Sequence, residues 1–331
     1  MSANLPLART RRMLLAAGLG VSAALVSSQV LAQQYPDRPI RIVNTFPAGG
    51  SGDQVIRTVF SRIAQNIGQN YIVDTRAGAS GAIGTTHVAR SAPDGYTLVL
   101  GTASTFGTNS ATQKNLAYDP IADFTPVINI ASTPYFLLVH PSVPVKDFPE
   151  FLAHVNANRG KLNFGSFGLG SSNHLAYELL KDATRMDIVH VPYKGGAPLI
   201  AALLAGEVQT SMDVYATANA HIRSGRFRAL GVADTKRSPL IPDVPTLAEQ
   251  GHPVVGGTFF ALLGPAKMPK SIVDFLNREV NKALSDQEVL DRLKALGVVP
   301  MGGTPDVLAG IVSEEVAKWA KLVKSAGLKF D

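Results

Sequence analysis

Apolar segments of strand length alternate along this chain with segments of helical periodicity, and this alternation is the feature that most constrains the fold. Pro39 to Thr45 reads as a buried strand, and the apolar residues after Asp53 follow a helical period that stops at Gly68. The next three segments read as strand, helix and strand: Tyr71 to Asp74, Gly81 to Arg90 and Tyr96 to Gly101. Strands that alternate with helices favour parallel sheets covered on both faces.

The pattern restarts in the second half of the chain. The predicted strands there are Leu162 to Gly165, Ile188 to Val191, Val208 to Asp213 and Phe227 to Val232. The predicted helices are Ser172 to Thr184, Leu199 to Leu204, Thr217 to Arg223, Pro269 to Leu284, Gln287 to Leu296 and Thr304 to Lys324. A chain of 331 residues has room for two domains of about 150 residues each.

Two further apolar segments, Val127 to Val139 and Val254 to Leu263, lie where the chain would cross between these domains and return. We therefore predict an α/β protein, a two-lobed clamshell with mostly parallel sheets and two interlobe crossings. Residues 33–131 and 254–331 would form the first lobe, and residues 132–253 the second.

Residues 1–32 have the three parts of an export signal. A basic start at Arg9 to Arg12 precedes the apolar run Met13 to Val26, and Val30-Leu31-Ala32 offers a signal-peptidase site. The apolar run is shorter than the roughly 20 residues of a membrane span. We predict a signal peptide cleaved near Ala32 and a periplasmic protein, exported by either the general or the twin-arginine route.

Composition excludes several classes of function. The chain has no cysteine, so disulfides, thiolate metal sites and cysteine nucleophiles are impossible. Half of the formal charge of +6 comes from Arg9, Arg11 and Arg12, and no basic run interleaved with aromatics follows them, so we predict no nucleic-acid partner. The seven histidines form no H-x-x-x-H pair and no phosphate-binding G-x-x-x-x-G-K-[ST] motif occurs, so we predict no metal and no cofactor.

Two glycine-rich loops are the best candidates for a binding site, because each follows a predicted strand and precedes a predicted helix. Backbone N–H groups at glycines and a helix N-terminus together suit a carboxylate or phosphate. One such loop could be a tight turn, but two that face each other across a cleft favour anion binding. The predicted contacts are Phe46, Ala48, Gly49, Gly50, Ser51 and Asp53 in the first loop, and Ser166, Gly168, Gly170, Ser171 and Ser172 in the second.

Three residues outside the loops complete the predicted site. Ser104 follows a strand end, Tyr193 follows another, and Asp213 at a third could meet a distal polar group of the ligand. Asp53 is most simply a cap of its helix, and its alternative roles are to hold the ligand loop or to receive an amine of the ligand.

Catalytic signatures are weak. The G-x-S-x-G elbow is absent, and Ser171 or Ser172 near His174 is the one arrangement that suggests a nucleophile and a base. Residues two or three apart on a helix do not form a triad, so we predict that the protein is not an enzyme. A periplasmic serine hydrolase stays an alternative, as does a module that reports ligand occupancy to a membrane partner.

Seven motifs spread over the chain carry a family resemblance. In order they are Tyr35-Pro-Asp-Arg-Pro-Ile, Phe46-Pro-Ala-Gly-Gly-x-x-Asp53, Arg76-Ala-Gly-Ala-x-Gly81-x-x-Gly84, Ala92-Pro-Asp-Gly-Tyr-Thr-Leu98, Gly165-Ser-x-Gly-x-Gly-Ser-x-x-His-Leu175, Val191-Pro-Tyr-Lys-Gly195 and Pro242-Asp-Val-Pro-Thr-Leu-Ala-Glu249. This order resembles the Bug-type periplasmic solute receptors of tripartite tricarboxylate transporters.

The resemblance implies a two-lobed periplasmic binding protein that closes on a small carboxylate, grips it with both loops and ordered water, and delivers it to membrane transporter subunits. A monomer suits a receptor that diffuses to its transporter. The chain departs from the family at Asn44-Thr45, where Val-Pro is commoner, and at Ser51-Gly52, where Gly-Thr is commoner. These departures leave the ligand open among mono-, di- and tricarboxylates, amino acids and aromatic acids.

Overall fold

The structure is a computed structural model that describes residues 35–325, 327, 328 and 330. The account below concerns the compact unit Pro39–Asp331. The predicted signal peptide, residues 1–32, lies outside the described residues. Within the described part of the chain, no helix combines the length and the apolarity needed to cross a membrane.

Six strands form the sheet of the first lobe, in the order β11-β4-β10-β3-β1-β2. These strands are β1 Ile40–Asn44, β2 Tyr71–Thr75, β3 Thr97–Thr102, β4 Phe124–Pro134, β10 Gly257–Pro265 and β11 Val299–Gly302. The helices of this lobe are α1 Ser51–Ile67, α2 Ala82–Ala89, α3 Asn109–Thr112, α8 Lys270–Leu284, α9 Gln287–Ala295 and α10 Pro305–Ser325. A π-helical turn, Ser104–Thr108, joins β3 to α3.

Five strands form the sheet of the second lobe, in the order β7-β6-β8-β5-β9. They are β5 Phe136–Val139, β6 Asn163–Ser166, β7 Val189–Pro192, β8 Thr210–Asp213 and β9 Arg228–Val232. The helices are α4 Phe148–Ala157, α5 Ser172–Thr184, α6 Gly196–Ala205 and α7 Tyr215–Arg223. Alternate residues of β5 enter two different core clusters, Leu137 and Val139 in one and Phe136 and Leu138 in the other, so this sheet is buried on both faces.

The chain crosses between the lobes twice, which confirms the predicted two-lobed α/β fold. It leaves the first sheet after β4 and enters the second at β5, and it returns between β9 and β10. Backbone hydrogen bonds tie the crossings together: Tyr135 donates to Gly256 (3.0 Å), Gly256 to Ala233 (2.9 Å) and Ala233 to Tyr135 (2.8 Å). The lobe boundaries after residues 131 and 253 stay predictions.

The sheets are mixed rather than mostly parallel, and on this point the sequence prediction was wrong. Within the described residues, β1–β2, β1–β3, β6–β7 and β6–β8 are parallel, whereas every pairing of β4, β5 or β10 is antiparallel. The reason is the double crossing, because a strand that leaves a lobe and a strand that returns to it run in opposite directions. β4 and β10, which flank the crossings, pair along nine residues of β10.

Hydrophobic periodicity accounts for α1, the helix that presents the first glycine loop. Val55, Ile56 and Val59 are fully buried, as the 3.6-residue period requires. The helix ends at Gly68, which adopts a left-handed φ of 66° and donates its N–H to Ala64.

Helix α4 and strand β11 were not predicted from the sequence, and neither were α3 and the π-helical turn before it. Helix α4 begins at an Asp147 cap that accepts the N–H of Glu150, and it buries Phe148, Phe151 and Val155. The sequence contained enough information to predict this helix, because an aspartate before a helical apolar pattern is a common N-cap. Strand β11, by contrast, is a short edge strand with two exposed residues, Val299 and Met301, and it has no apolar alternation to detect.

Candidate functional site

A narrow cavity of ≈ 40 Å³ lies between the lobes. Residues of both lobes line it: Asn44, Phe46, Pro47, Gly50, Ser51, Gly52, Asp53, Leu100, Thr102, Ser104, Thr258 and Phe260 from the first, Tyr135 from the crossing, and Phe167, Ser172, Gly196, Asp213 and Thr217 from the second. Such a volume holds roughly a few waters, so the entry of a ligand would require the lobes to separate.

Half of the predicted contacts line this cavity: Phe46, Gly50, Ser51, Asp53, Ser104, Ser172 and Asp213. Gly168 and Tyr193 line a neighbouring, wider cavity of ≈ 530 Å³. The other five line neither cavity: Ala48 and Gly49 are exposed on the first loop, while Ser166, Gly170 and Ser171 belong to the second loop. A direct role in ligand binding stays a prediction for all fourteen residues of the predicted site.

The first glycine loop places the N-terminus of α1 at the cavity. The first intrahelical bond runs from the N–H of Gln54 to the carbonyl of Gly50 (3.2 Å), so the helix itself does not use the N–H groups of Ser51, Gly52 and Asp53. The carboxylate of Asp53 accepts the N–H of Gly49 and the Nε–H of Arg57, both at 3.1 Å. Asp53 therefore holds the loop against its helix.

The second loop meets the first lobe through a hydroxyl cluster at Ser172. Its Oγ lies 3.0 Å from Ser104 Oγ and 2.6 Å from Tyr135 Oη, and its N–H donates to Ser104 Oγ (3.1 Å). All three residues are at most 2% exposed. Because Ser104 and Ser172 belong to opposite lobes, this cluster stabilises the closed arrangement.

We expect Ser172→Ala to weaken closure, because it leaves the buried hydroxyl of Tyr135 without Ser172 as its partner. Ligand affinity should fall about tenfold, equivalent to about 1.4 kcal/mol. The double variant Ser172→Ala/Tyr135→Phe should regain part of that loss, since it removes both members of the hydrogen bond between Ser172 and Tyr135. Titration calorimetry measures both effects, and a double variant weaker than the single one would contradict this account.

Two further hydrogen bonds join the second loop to the first lobe. Ser80 Oγ donates to the carbonyl of Leu169 (2.8 Å), and Thr112 Oγ1 donates to the carbonyl of Gly170 (3.4 Å). The edge of the Phe46 ring also faces Phe167, with ring centroids 6.4 Å apart. The structure is therefore in a closed conformation, with both glycine loops in contact across the cleft.

His174 holds the second glycine loop through a hydrogen bond to its backbone. Its Nδ1 accepts the N–H of Gly170 (3.0 Å), and its Nε2 lies 3.6 Å from a carboxylate oxygen of Glu178. Ser171 Oγ donates to the carbonyl of Gly168 (2.6 Å) and to Asn173. Neither contact of His174 involves Ser171 or Ser172, so the ring occupies a supporting position and does not face a serine nucleophile.

The ring of His190 stacks on His174 at a centroid distance of 3.7 Å, and its Nε2 lies 2.7 Å from Ser166 Oγ. Burial, followed by the neighbouring His174, lowers the pKa of His190 to about 3. An unfolded histidine titrates near 6.5, so between about pH 6.5 and pH 3 the unfolded chain binds a proton that the folded chain does not. His190 therefore makes its full contribution to stability above about pH 6.5. That contribution is lost as the pH falls from about 6.5 toward 3.

We expect His190→Phe to reduce the dependence of stability on pH. The difference in free energy of unfolding between pH 7 and pH 4 should shrink by about 1–2 kcal/mol, with allowance for partial exposure of the ring. Guanidinium unfolding at the two pH values measures it. An unchanged difference would show that His190 does not titrate in this range.

Asp213, at the end of β8, is fully buried. Its Oδ1 accepts the N–H of Val214 (2.7 Å) and the hydroxyl of Thr217 (2.9 Å). Burial raises the pKa of Asp213 to about 7, although both hydrogen bonds oppose the rise. The sequence predicted this residue as a site member, and the structure places it in the wall of the cavity.

Asn44, the last residue of β1, was missed as a site residue. It is 1% exposed and lines the cavity, and its Oδ1 accepts the N–H of Phe46 (3.3 Å). The signal was present in the sequence as the departure Asn44-Thr45. Only the folded structure shows that Asn44 lines the cavity.

Comparison with known proteins gives one consistent result. Residues 55–328 match the family model described as the tripartite tricarboxylate transporter family receptor, TctC. The protein BugT of Bordetella pertussis is 35% identical over 320 residues, which cover 96% of this chain and 98% of BugT.

Two similar solved structures come from Rhodopseudomonas palustris and contain ligands. Rpa4515, solved with adipate, is 35% identical with a TM-score of 0.86, and the match covers 89% of this chain and 99% of that one. MatC, solved with bound malate, is 35% identical with a TM-score of 0.84, over 87% of this chain and 100% of that one.

Proposed function

This chain belongs to the tripartite tricarboxylate transporter receptor family, as its sequence motifs suggested, and from that premise we propose that it captures a small carboxylate between its lobes and delivers it to membrane subunits of such a transporter. The observation that carries the proposal is that the N-termini of two helices, α1 and α5, lie at one cavity. Each terminus adds roughly half a positive charge and N–H groups that its own helix does not use, which suit a carboxylate.

The lining residues point to recognition by neutral donors. Among the described residues around the cavity there is no lysine, arginine or histidine. Backbone N–H groups, the side-chain amide of Asn44 and hydroxyls such as that of Ser51 are the neutral donors that the lining offers to a carboxylate. Hydrogen bonds to a charged group contribute about 1.5–3 kcal/mol each, so a few such donors suffice for tight binding. The adipate and malate complexes of the two relatives support the same class of ligand.

The family is one of receptors, and we propose further that this member has no hydrolase activity. The contacts of His174 with Gly170 and Glu178 support that proposal, since a general base would have to reach a serine hydroxyl. An ester-hydrolysis assay with the purified protein tests it, and turnover that disappears in Ser171→Ala or Ser172→Ala would establish the hydrolase alternative. We also propose a periplasmic monomer, on the strength of the export-signal pattern and the family.

The test of carboxylate capture is titration calorimetry with a panel of aliphatic mono-, di- and tricarboxylates on the parent and on Gly50→Val. Gly50 has extended backbone angles (φ −72°, ψ 171°) that valine adopts readily, and an added Cβ would meet nothing closer than the carbonyl of Pro47 at 3.4 Å. The variant should fold and should lose binding by about 100-fold or more, because its side chain would occupy the cavity wall.

Two control variants accompany it. Gly310→Val, in α10 with open space around the added Cβ, and Arg76→Ala, whose guanidinium pairs with Asp74 (2.9 Å), should both bind like the parent. No binding of any carboxylate, or equal binding by Gly50→Val, would contradict the proposed function.

A further inference from the structure

We propose that the ligand carries a protonated amine as well as its carboxylate, and that the free carboxylate oxygen of Asp213 receives that amine. The chemical class is an aliphatic amino carboxylate. This inference rests on the proposed function and goes further, because it identifies the second group of the ligand and the side chain that selects it.

The first observation is an unused acceptor in the second lobe. Asp213 is 0% exposed and lines the cavity, and both of its hydrogen bonds go to Oδ1. Its Oδ2 is buried and has no hydrogen-bond partner within the described part of the chain. A buried carboxylate oxygen without a partner is costly, so a donor supplied by the ligand would be strongly favoured.

The second observation is an unused donor in the first lobe. Asn44 Nδ2 is also buried without a partner among the residues that the structure describes, while its Oδ1 is bound to the N–H of Phe46. Asn44 lies at the end of β1, at the start of the loop that leads to the N-terminus of α1. The first lobe therefore presents unpaired donors and the second an unpaired acceptor, which together orient a dipolar ligand with its carboxylate toward Asn44.

The balance of charge in the cavity favours an amine over a second carboxylate. The lining contains two carboxyl groups, and Asp53 is already paired with Arg57. Asp213 has no cation beside it in the lining. A dicarboxylate would enclose further negative charge next to Asp213, whereas an ammonium group would neutralise it.

The rival arrangement is a protonated Asp213 that donates to a second carboxylate of the ligand, and proton linkage distinguishes the two. The titratable side chains in the described lining are Asp53, Tyr135 and Asp213, and burial raises the pKa of Tyr135 far above neutrality. An ammonium group would favour ionised Asp213, so binding near pH 7 should release protons. A dicarboxylate would require protonated Asp213, so its binding should take up protons.

The experiment compares matched pairs of acids that differ in the amine alone: 4-aminobutyrate with butyrate, aspartate with succinate, and glutamate with glutarate. Calorimetry in PIPES and in Tris buffer gives both the affinity and the number of protons exchanged. We expect at least one amino acid to bind the parent protein roughly 30-fold more tightly than its partner without the amine, with proton release. In Asp213→Asn this preference should fall to roughly threefold or less.

Each outcome is decisive. If acids without the amine bind as tightly as their amino counterparts, or bind with proton uptake, the inference is wrong while carboxylate capture stands. If neither member of any pair binds, and the wider carboxylate panel fails as well, the proposed function is wrong and the inference falls with it. Should Asp213→Asn fail to fold by circular dichroism, the pairwise preference and the proton release of the parent protein still decide the question.

Discussion

Replacing Gly170 by alanine is expected to reduce ligand affinity by about 10- to 100-fold without unfolding either lobe. An added Cβ would lie 2.4 Å from Thr112 Oγ1 and 2.7 Å from Thr112 Cβ. Thr112 belongs to the first lobe and Gly170 to the second, so the collision arises only when the lobes close. Because a ligand that bridges the lobes binds the closed state, any cost of closure lowers its affinity.

Gly225→Ala is the matched control. Gly170 and Gly225 have the same left-handed φ of 72°, so alanine brings the same backbone strain at both positions, but an added Cβ at Gly225 meets nothing within 4 Å. Thr112→Gly on the Gly170→Ala background should restore affinity, because it removes both colliding atoms. Small-angle scattering should show a smaller radius of gyration with ligand in the parent and control, and little change in Gly170→Ala. Equal affinities of the two alanine variants would refute closure as the source of the effect.

The largest loss of stability is expected for Phe164→Ala, at about 3–5 kcal/mol. Phe164 is fully buried in β6, and its ring stacks on Tyr177 at 4.0 Å and on His190 at 4.8 Å. Truncation leaves a cavity and separates the aromatic stack that lies beneath the second glycine loop. The urea midpoint should fall by about 1 M or more.

Phe164→Leu keeps much of the buried volume and should cost about 1.5 kcal/mol. Unfolding followed by far-ultraviolet circular dichroism measures both variants. If alanine and leucine destabilise equally, the stack contributes little and the cost has another source. Binding to Phe164→Leu should stay close to that of the parent, since Phe164 does not line the cavity.

Local patterns in the sequence were sufficient for most helices and strands but not for strand direction. The burial period of α1 and the stop at Gly68 are local properties, and the structure confirms both. The direction of β4 and β10 depends on where the chain crosses between the lobes, which no local pattern records. For that reason the two-lobed fold was predicted correctly, while the proportion of parallel strands was not.

The same distinction applies to the site. The glycines between a predicted strand and a predicted helix were sufficient to predict that Gly50 and Ser51 belong to the site, and both residues line the cavity. That prediction was possible because the geometry of a strand–helix junction is local. The hydroxyl cluster joins Ser104 to Ser172 across 68 residues, which only the packed structure brings together. Asn44 follows an apolar strand, and its free amide is recognisable only once its surroundings show no partner.

The three backbone hydrogen bonds among Tyr135, Ala233 and Gly256 restrict how the lobes can move. Two chain connections bonded side by side permit rotation about the line that joins them, but they resist twisting and sliding of one lobe against the other. Every ligand that closes the cleft should therefore produce nearly the same outer surface. A membrane transporter that recognises this surface would detect whether the receptor is occupied and would be insensitive to which molecule occupies it. Selection among solutes would then be complete before the receptor reaches the membrane.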